Sequence, residues 1–429
     1  MAPETAVWVA CFRRIRARAG AILSTCDRGK WESVTEASGG ARRVLWACLG
    51  ASMTAALVAA CGGSSGTAAP AGTAQATAVP GSHASAGPAL SEGSVMLTRM
   101  FPIGAYVQAP ANFELWKSRG VNTMVVVPDG NSEKAWNKAA VRDGLYEIRA
   151  PAGNPATDVR DGNLLAWALP DEPDDITSQV PYAKIQRTYR SWKRIDARVP
   201  VYINFNGQFN QHDVTTNAGG AAWYHQYVKG ANWITSDLYP VNSGQGNDLG
   251  VIGQEVSQLR RLAGNKPVFV FIESGAFAAG NPVITPDQFR GEVWEAIIHG
   301  ARGIFYFPVQ VTPHFKYDVT PPAVAAEMTR QDATITKLAG VLQGTINPRP
   351  LGATAPSPLQ VAWRSSAGHS YFFVLNLSSR AVGHQTIALS GIGSATSATV
   401  YGEHRTVPIS SNTITDNFGP YAIHIYQVP

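Results

Sequence analysis

Between Phe101 and Phe307 the chain repeats one pattern eight times: a short apolar run, then a stretch polar enough to face water on one side. The runs are 101–107, 121–128, 145–149, 164–169, 201–206, 233–238, 267–272 and 303–307. Largely apolar character with no clean alternation is what a strand buried on both faces requires. Stretches such as 112–119, 182–198, 221–229, 249–262 and 287–299 between them have helical length. Gly120, Gly264 and Gly300 fall where a helix would end in a left-handed cap, and Thr285-Pro286 is a good helix opening. Eight such units in roughly 240 residues predict a (β/α)8 TIM barrel. An open doubly wound sheet is the competitor, but no glycine-rich phosphate loop follows the first run.

After a last helix near 323–342 the period shortens. Segments 359–363, 371–377, 386–389, 398–401, 413–415 and 422–428 read as short strands, and Ser365-Ser366-Ala367-Gly368 reads as a hairpin connection. They predict a small C-terminal all-β sandwich. The expected organisation is a leader over 1–60, a flexible tether over 61–98, the barrel over 99–345 and the sandwich over 346–429.

The formal charge of +5 over 429 residues invites a nucleic-acid reading, until it is located. Residues 1–60 hold eight Lys/Arg and four acids, so +4 belongs to the leader and only +1 to the rest. No nucleic-acid partner is expected. Arg42-Arg43 precede an uncharged run, Val44–Ala60, that ends in Val58-Ala59-Ala60-Cys61. A basic start, an apolar stretch and a small-residue cut site make an export signal. Its last four residues resemble a bacterial lipobox, which implies lipidation of Cys61 and a membrane-anchored or secreted protein of the cell envelope. Residues 1–40 fit poorly with such a signal, and translation is expected to begin nearer residue 34. The segment 62–91 has no Lys, Arg, Asp or Glu and is mostly Gly, Ala, Ser, Thr and Pro, which suits a tether. Within it Gly62-Gly63-Ser64-Ser65-Gly66 matches an esterase elbow in letters only, since no strand precedes it.

In a barrel of this kind reactive groups gather at the carboxyl ends of strands. Two apolar runs end in carboxylates there: Trp167-Ala168-Leu169-Pro170-Asp171-Glu172-Pro173 on the fourth and Phe269-Val270-Phe271-Ile272-Glu273 on the seventh. A carboxylate at an apolar rim costs desolvation unless it is paired or used. Two carboxyl groups flanking one bond are what glycoside hydrolysis needs. Period-two geometry puts Tyr202, Asn204 and Asn206 on one face of the fifth strand, and Asp237 and Tyr239 on one face of the sixth. The asparagines are candidates for contact with sugar hydroxyls. Trp167, Trp223 and Trp233 offer surfaces for stacking on a sugar, although a tryptophan in such a barrel is more often core.

The run Trp167–Asp174 resembles the fourth-strand motif of clan A glycoside hydrolases, where Asn-Glu-Pro is typical. Pro267–Glu273, Ser236-Asp237-Leu238-Tyr239-Pro240 and Gly300–Phe307, which contains Tyr306, are similar to the seventh, sixth and eighth strands of the same group. The resemblance implies Glu172 as general acid/base, Glu273 as nucleophile, Tyr239 orienting Glu273, and a substrate pocket touched by Tyr306. Asp171 stands where the clan has an asparagine that contacts the sugar 2-hydroxyl. Beside Glu172 it would raise that residue's pKa, or act as the acid itself.

No HExxH, no His/Cys cluster at metal spacing, no Walker loop and no dinucleotide fingerprint occurs, so neither metal nor cofactor is expected. The sequence therefore reads as a glycoside hydrolase acting on an oligo- or polysaccharide by a retaining mechanism. The rival is a non-catalytic carbohydrate-binding or envelope-scaffold lipoprotein on the same barrel.

Overall fold

The computed structural model describes residues 96–429 apart from 153–154, 159–160, 176–177, 207–217, 247 and 345–350. The leader, the Cys61 lipidation site and the tether up to residue 95 lie outside the described residues. Eight parallel strands close into a barrel in chain order: β1 (Ile103–Tyr106), β2 (Thr123–Val125), β3 (Tyr146–Arg149), β4 (Leu164–Ala168), β5 (Val201–Phe205), β6 (Trp233–Asp237), β7 (Val268–Glu273) and β8 (Ile304–Phe307). Closure is made by β1 against β8, with Ala105 opposite Tyr306. The helices are α1 (Phe113–Ser118), α2 (Glu133–Asp143), α3 (Pro155–Asp158), α4 (Tyr182–Ile195), α5 (Ala218–Val228), α6 (Gly250–Ala263), α7 (Pro286–Ile298), α8 (Pro322–Lys337) and α9 (Ala339–Gln343). The opening expected at Thr285-Pro286 is a full capping box. The Thr285 hydroxyl accepts from the Gln288 N–H, and the Gln288 side chain returns to the Thr285 backbone.

Alternation along each strand sorts side chains into two cores. Tyr202, Trp233, Phe269, Phe271 and Phe305 fill the lumen, with the rings of Phe269 and Phe305 stacked 5.5 Å apart at 8°. A lumen filled by rings leaves no room for every Cβ. One added at Gly104 would lie 2.4 Å from the Phe305 ring, so β1 needs glycine there. The opposite faces, carrying Ile103, Ile203, Ile234, Val270 and Ile304, pack under the helices with Ile252, Val256, Leu259 and Val293.

The C-terminal region forms two antiparallel sheets. One has the order β10-β11-β16-β13-β14, from β10 (Leu359–Ser366), β11 (His369–Asn376), β13 (Ser397–Val400), β14 (Arg405–Pro408) and β16 (Ile423–Val428). The other has the order β15-β12-β9, from β9 (Gly352–Thr354), β12 (Val382–Ser390) and β15 (Thr413–Phe418). Phe372, Val374, Ile387, Val400, Ile414 and Tyr426 form the core of this sandwich. The predicted hairpin is present: Ser366 pairs with His369, and Ala367 and Gly368 both take positive φ, 50° and 82°. The sequence reading omits β9 and β14, two short strands of only half-buried character.

The sandwich docks on α7. Trp294, fully buried, stacks on Phe373 at 5.9 Å and donates from its indole to Gln331 Oε1 at 2.7 Å. Arg290 donates to the carbonyls of Tyr421 and Pro420 at 2.8 and 2.9 Å. The layer under the helices also buries acids. Glu255 of α6 is fully buried behind β6, and that burial pushes its pKa up to about 8, with a nearby Ser236 hydroxyl pulling the other way.

Two measurements follow from this packing. Trp294→Ala should lower unfolding stability by about 3–5 kcal/mol, read from denaturant midpoints. The native state keeps a proton on Glu255 that the unfolded chain releases at about pH 4.3, so stability falls as pH rises from there toward about 8. Glu255→Gln, neutral throughout, should lose less stability than the parent between pH 5 and pH 8.

Candidate active site

β4 ends at Ala168, and the chain turns over the rim through Leu169-Pro170-Asp171-Glu172-Pro173. Glu172 takes a positive φ of 42°, a strained conformation for a residue with a Cβ. The turn is held from the helix side. The Asp174 carboxylate accepts from the Asn206 N–H at 3.1 Å and from the Tyr224 hydroxyl at 3.0 Å, and Tyr227 donates to the carbonyls of Pro173 and Val180 at 3.2 and 2.8 Å. Asp174 therefore does not cap the next helix. It ties the β4 turn to the end of β5, and burial raises its pKa to about 7.

So held, the turn delivers two carboxyls into the mouth. Asp171 accepts from the Tyr106 hydroxyl of β1 at 2.6 Å and from Asn204 Nδ2 of β5 at 3.1 Å. Burial raises its pKa, while those donors and the Glu172 backbone N–H pull it down. Glu172 meets Asp237, the last residue of β6, side chain to side chain. Two carboxyls in that contact disfavour each other's ionisation. Burial, then the charges of Asp237, Asp171 and Asp174, hold Glu172 well above the usual carboxyl range. Asp237 is raised by burial and by Asp171 and Glu255, and lowered by its bond to Glu172. Tyr239 donates to Asp237 Oδ2 at 3.3 Å.

Tyr106, Asp171, Glu172, Asp237 and Tyr239 each keep some surface open to water, over a floor of buried Tyr202, Asn204 and Thr235. One wall is aromatic. Phe307 stacks between Tyr106 (5.6 Å, 23°) and Phe277 (5.6 Å, 23°) and also meets Tyr239 at 4.9 Å. Phe277, on the segment after β7, is 38% exposed.

The structure thus joins Asp171, Glu172, Asn204, Asp237 and Tyr239, and puts the backbone of Asn206 beside them. It departs from the expectations for Glu273, Tyr239, Trp167, Tyr306, Trp233 and Trp223. Glu273 is fully buried and faces another set of partners: its carboxylate accepts from the backbone N–H of Val241 and Asn242 at 2.7 and 2.8 Å and from the Asn242 side chain, with Glu292 of α7 behind it. Asn242 also bonds the Gly275 carbonyl and the Phe277 N–H, so Glu273 staples the segments after β6 and β7 together. The carboxyl that meets Glu172 is Asp237, and Tyr239 orients Asp237 rather than Glu273. Trp167 points outward, donating to Asp158 Oδ2 at 3.1 Å and lying 6.0 Å from Trp192. Tyr306 also points outward, with its hydroxyl on Asp332 of α8. Trp233 belongs to the lumen and Trp223 packs on Tyr224 and Tyr227.

Tyr106, Phe277 and Phe307 are absent from the sequence reading. The first and last carried a usable signal, being strand-end aromatics on the inward parity of β1 and β8. Among the described residues no group of three or more His, Cys, Asp or Glu is arranged to hold a metal ion, and no helix is long and apolar enough to cross a membrane.

No family model matches the chain, and no curated protein matches it in sequence. Solved structures do resemble it in fold. An α-amylase from Geobacillus thermoleovorans aligns over 78% of this chain and 99% of its own, at 9% identity and a TM-score of 0.52. A β-galactosidase from Bacillus circulans sp. alkalophilus aligns over 77% and 99%, at 8% identity and 0.52. A β-L-arabinopyranosidase from Geobacillus stearothermophilus aligns over 79% and 98%, at 9% identity and 0.52. The chain shares with these structures the fold alone, a (β/α)8 barrel, here followed by a C-terminal β-sandwich.

Proposed function

We propose that the protein is a glycoside hydrolase whose working carboxyls come from β4 and β6. The observation that carries this reading is the meeting of Asp171, Glu172 and Asp237 at the open mouth. Burial raises Asp171, but three donors on it favour its charged form, whereas Glu172 and Asp237 are both held well above the usual carboxyl range. One charged and one protonated carboxyl side by side is the division of labour that glycosidic cleavage requires.

In this reading Asp171 attacks the anomeric carbon while the Glu172–Asp237 pair gives its proton to the departing glycosidic oxygen. The C–O bond breaks and a glycosyl ester forms on Asp171. Water then loses a proton to the pair, attacks the same carbon and releases Asp171. The two displacements restore the starting anomer. Tyr106 and Asn204 orient Asp171, Tyr239 orients Asp237, and Phe307 with Phe277 offers a face for the sugar ring. An export signal with a lipid at Cys61 would put this activity in the cell envelope.

Hydrolysis of an aryl-glycoside and oligosaccharide panel tests the reading. Asp171→Asn, Glu172→Gln and Asp237→Asn should each lower kcat/KM by about a thousandfold or more with the fold intact, and the product anomer should match the substrate. Saccharide binding by the parent without turnover would favour the binding-protein rival. Glu273→Gln should lose about 1–3 kcal/mol of stability, because an amide cannot accept from every donor around it, and should keep most of its kcat when folded. A folded, inactive Glu273→Gln would restore Glu273 as the nucleophile.

A further inference from the structure

The mouth of the barrel has an unusual charge composition. Between each of the strands β1 to β7 and the helix that follows, the sequence contains no lysine and no arginine. The same segments contain Asp129, Asp171, Glu172, Asp174, Asp175 and Asp248 among the described residues, and Asp237 closes β6. The one lysine at this end, Lys316 after β8, is exposed, as is His314. Arg149, at the end of β3, is turned outward and already bound to Glu147, Asp158 and Asp161 at 2.7, 3.1 and 2.9 Å. Arg119 is taken by Asp318 at 2.8 Å. The charges that weigh most on Glu172 and Asp237 are other carboxylates.

A second observation lies on the floor. Asn204 is 2% exposed; its amide nitrogen is spent on Asp171, and its Oδ1 has no hydrogen-bond partner. A buried amide oxygen without a partner costs free energy until a donor arrives. A donor brought to the floor and positive charge brought to the rim would answer both features.

We infer that the sugar bound in this mouth carries a free, protonated amino group, so that the substrates are glycosides of amino sugars rather than of neutral, N-acylated or acidic ones. The inference rests on the hydrolase reading for its site, not for its charge argument. An ammonium offers three donors and a full charge to Asp171, Asp237 and Asn204 Oδ1. It also helps keep Asp171 ionised. A uronic acid or sugar phosphate would bring a like charge into a mouth with one exposed lysine, and be rejected. Acylation removes the charge and adds bulk.

The test uses the folded chain with 4-nitrophenyl glycosides of glucosamine and galactosamine, their N-acetyl forms, the parent 2-hydroxy sugars and a glucuronide. Turnover and calorimetric affinity are measured for each at low and high salt. The amino glycosides should exceed their 2-hydroxy counterparts by about tenfold or more in kcat/KM or affinity, an advantage of about 1.4 kcal/mol that shrinks with added salt. The gluco and galacto arms report which ring configuration is preferred. Asn204→Leu should reduce the advantage of the amino form. Selective binding of amino sugars without turnover of any glycoside would keep the inference and sink the hydrolase reading. Equal or better turnover of neutral or N-acetyl glycosides would keep the hydrolase and overturn the inference. Binding of no probe, or of a divalent cation in place of the amino sugar, overturns it as well.

Discussion

Closing eight parallel strands leaves each strand residue two directions, into the lumen or out toward the helices, and everything at the mouth follows from that restriction. The inward parity of β6 runs Trp233, Thr235, Asp237, and that of β5 runs Tyr202, Asn204. An aromatic layer at the bottom and polar groups at the top are thus products of one alternation. The lower rings block water from below, and the upper carboxyls lose hydration without losing access from above. Their raised pKa values are the electrostatic consequence of that position.

The barrel was legible because buried parallel strands leave a strong mark: eight apolar runs, with helix-length spacing between them. The β4 carboxylates were legible for a related reason, since Asp171 and Glu172 interrupt an otherwise apolar rim. Asp237 was legible as a member of the site but not as the partner of Glu172. Its partner depends on how the β4 turn bends, and the left-handed backbone of Glu172 has no signature in the residue letters.

Glu273 shows where strand parity stops being informative. It follows Phe269 and Phe271 on the inward register, yet its carboxylate is captured by two backbone N–H groups of the segment after β6. A strand-end residue is governed as much by the loop folded over it as by its strand, and loop paths are the part of a chain least determined by hydrophobic pattern. Trp167 and Tyr306 fail for a simpler reason. Each alternates with an inward neighbour, Ala166 and Ala168 in one case and Phe305 and Phe307 in the other, so their outward direction was available from period two alone.

The backbone at Glu172 bears on which sequences this turn tolerates. A glycine would adopt φ of 42° without steric cost and would remove a carboxyl that burial and three neighbouring carboxylates hold well above the usual range. Folding alone therefore favours losing this side chain. Glutamate at 172 is a residue this turn carries against its own stability.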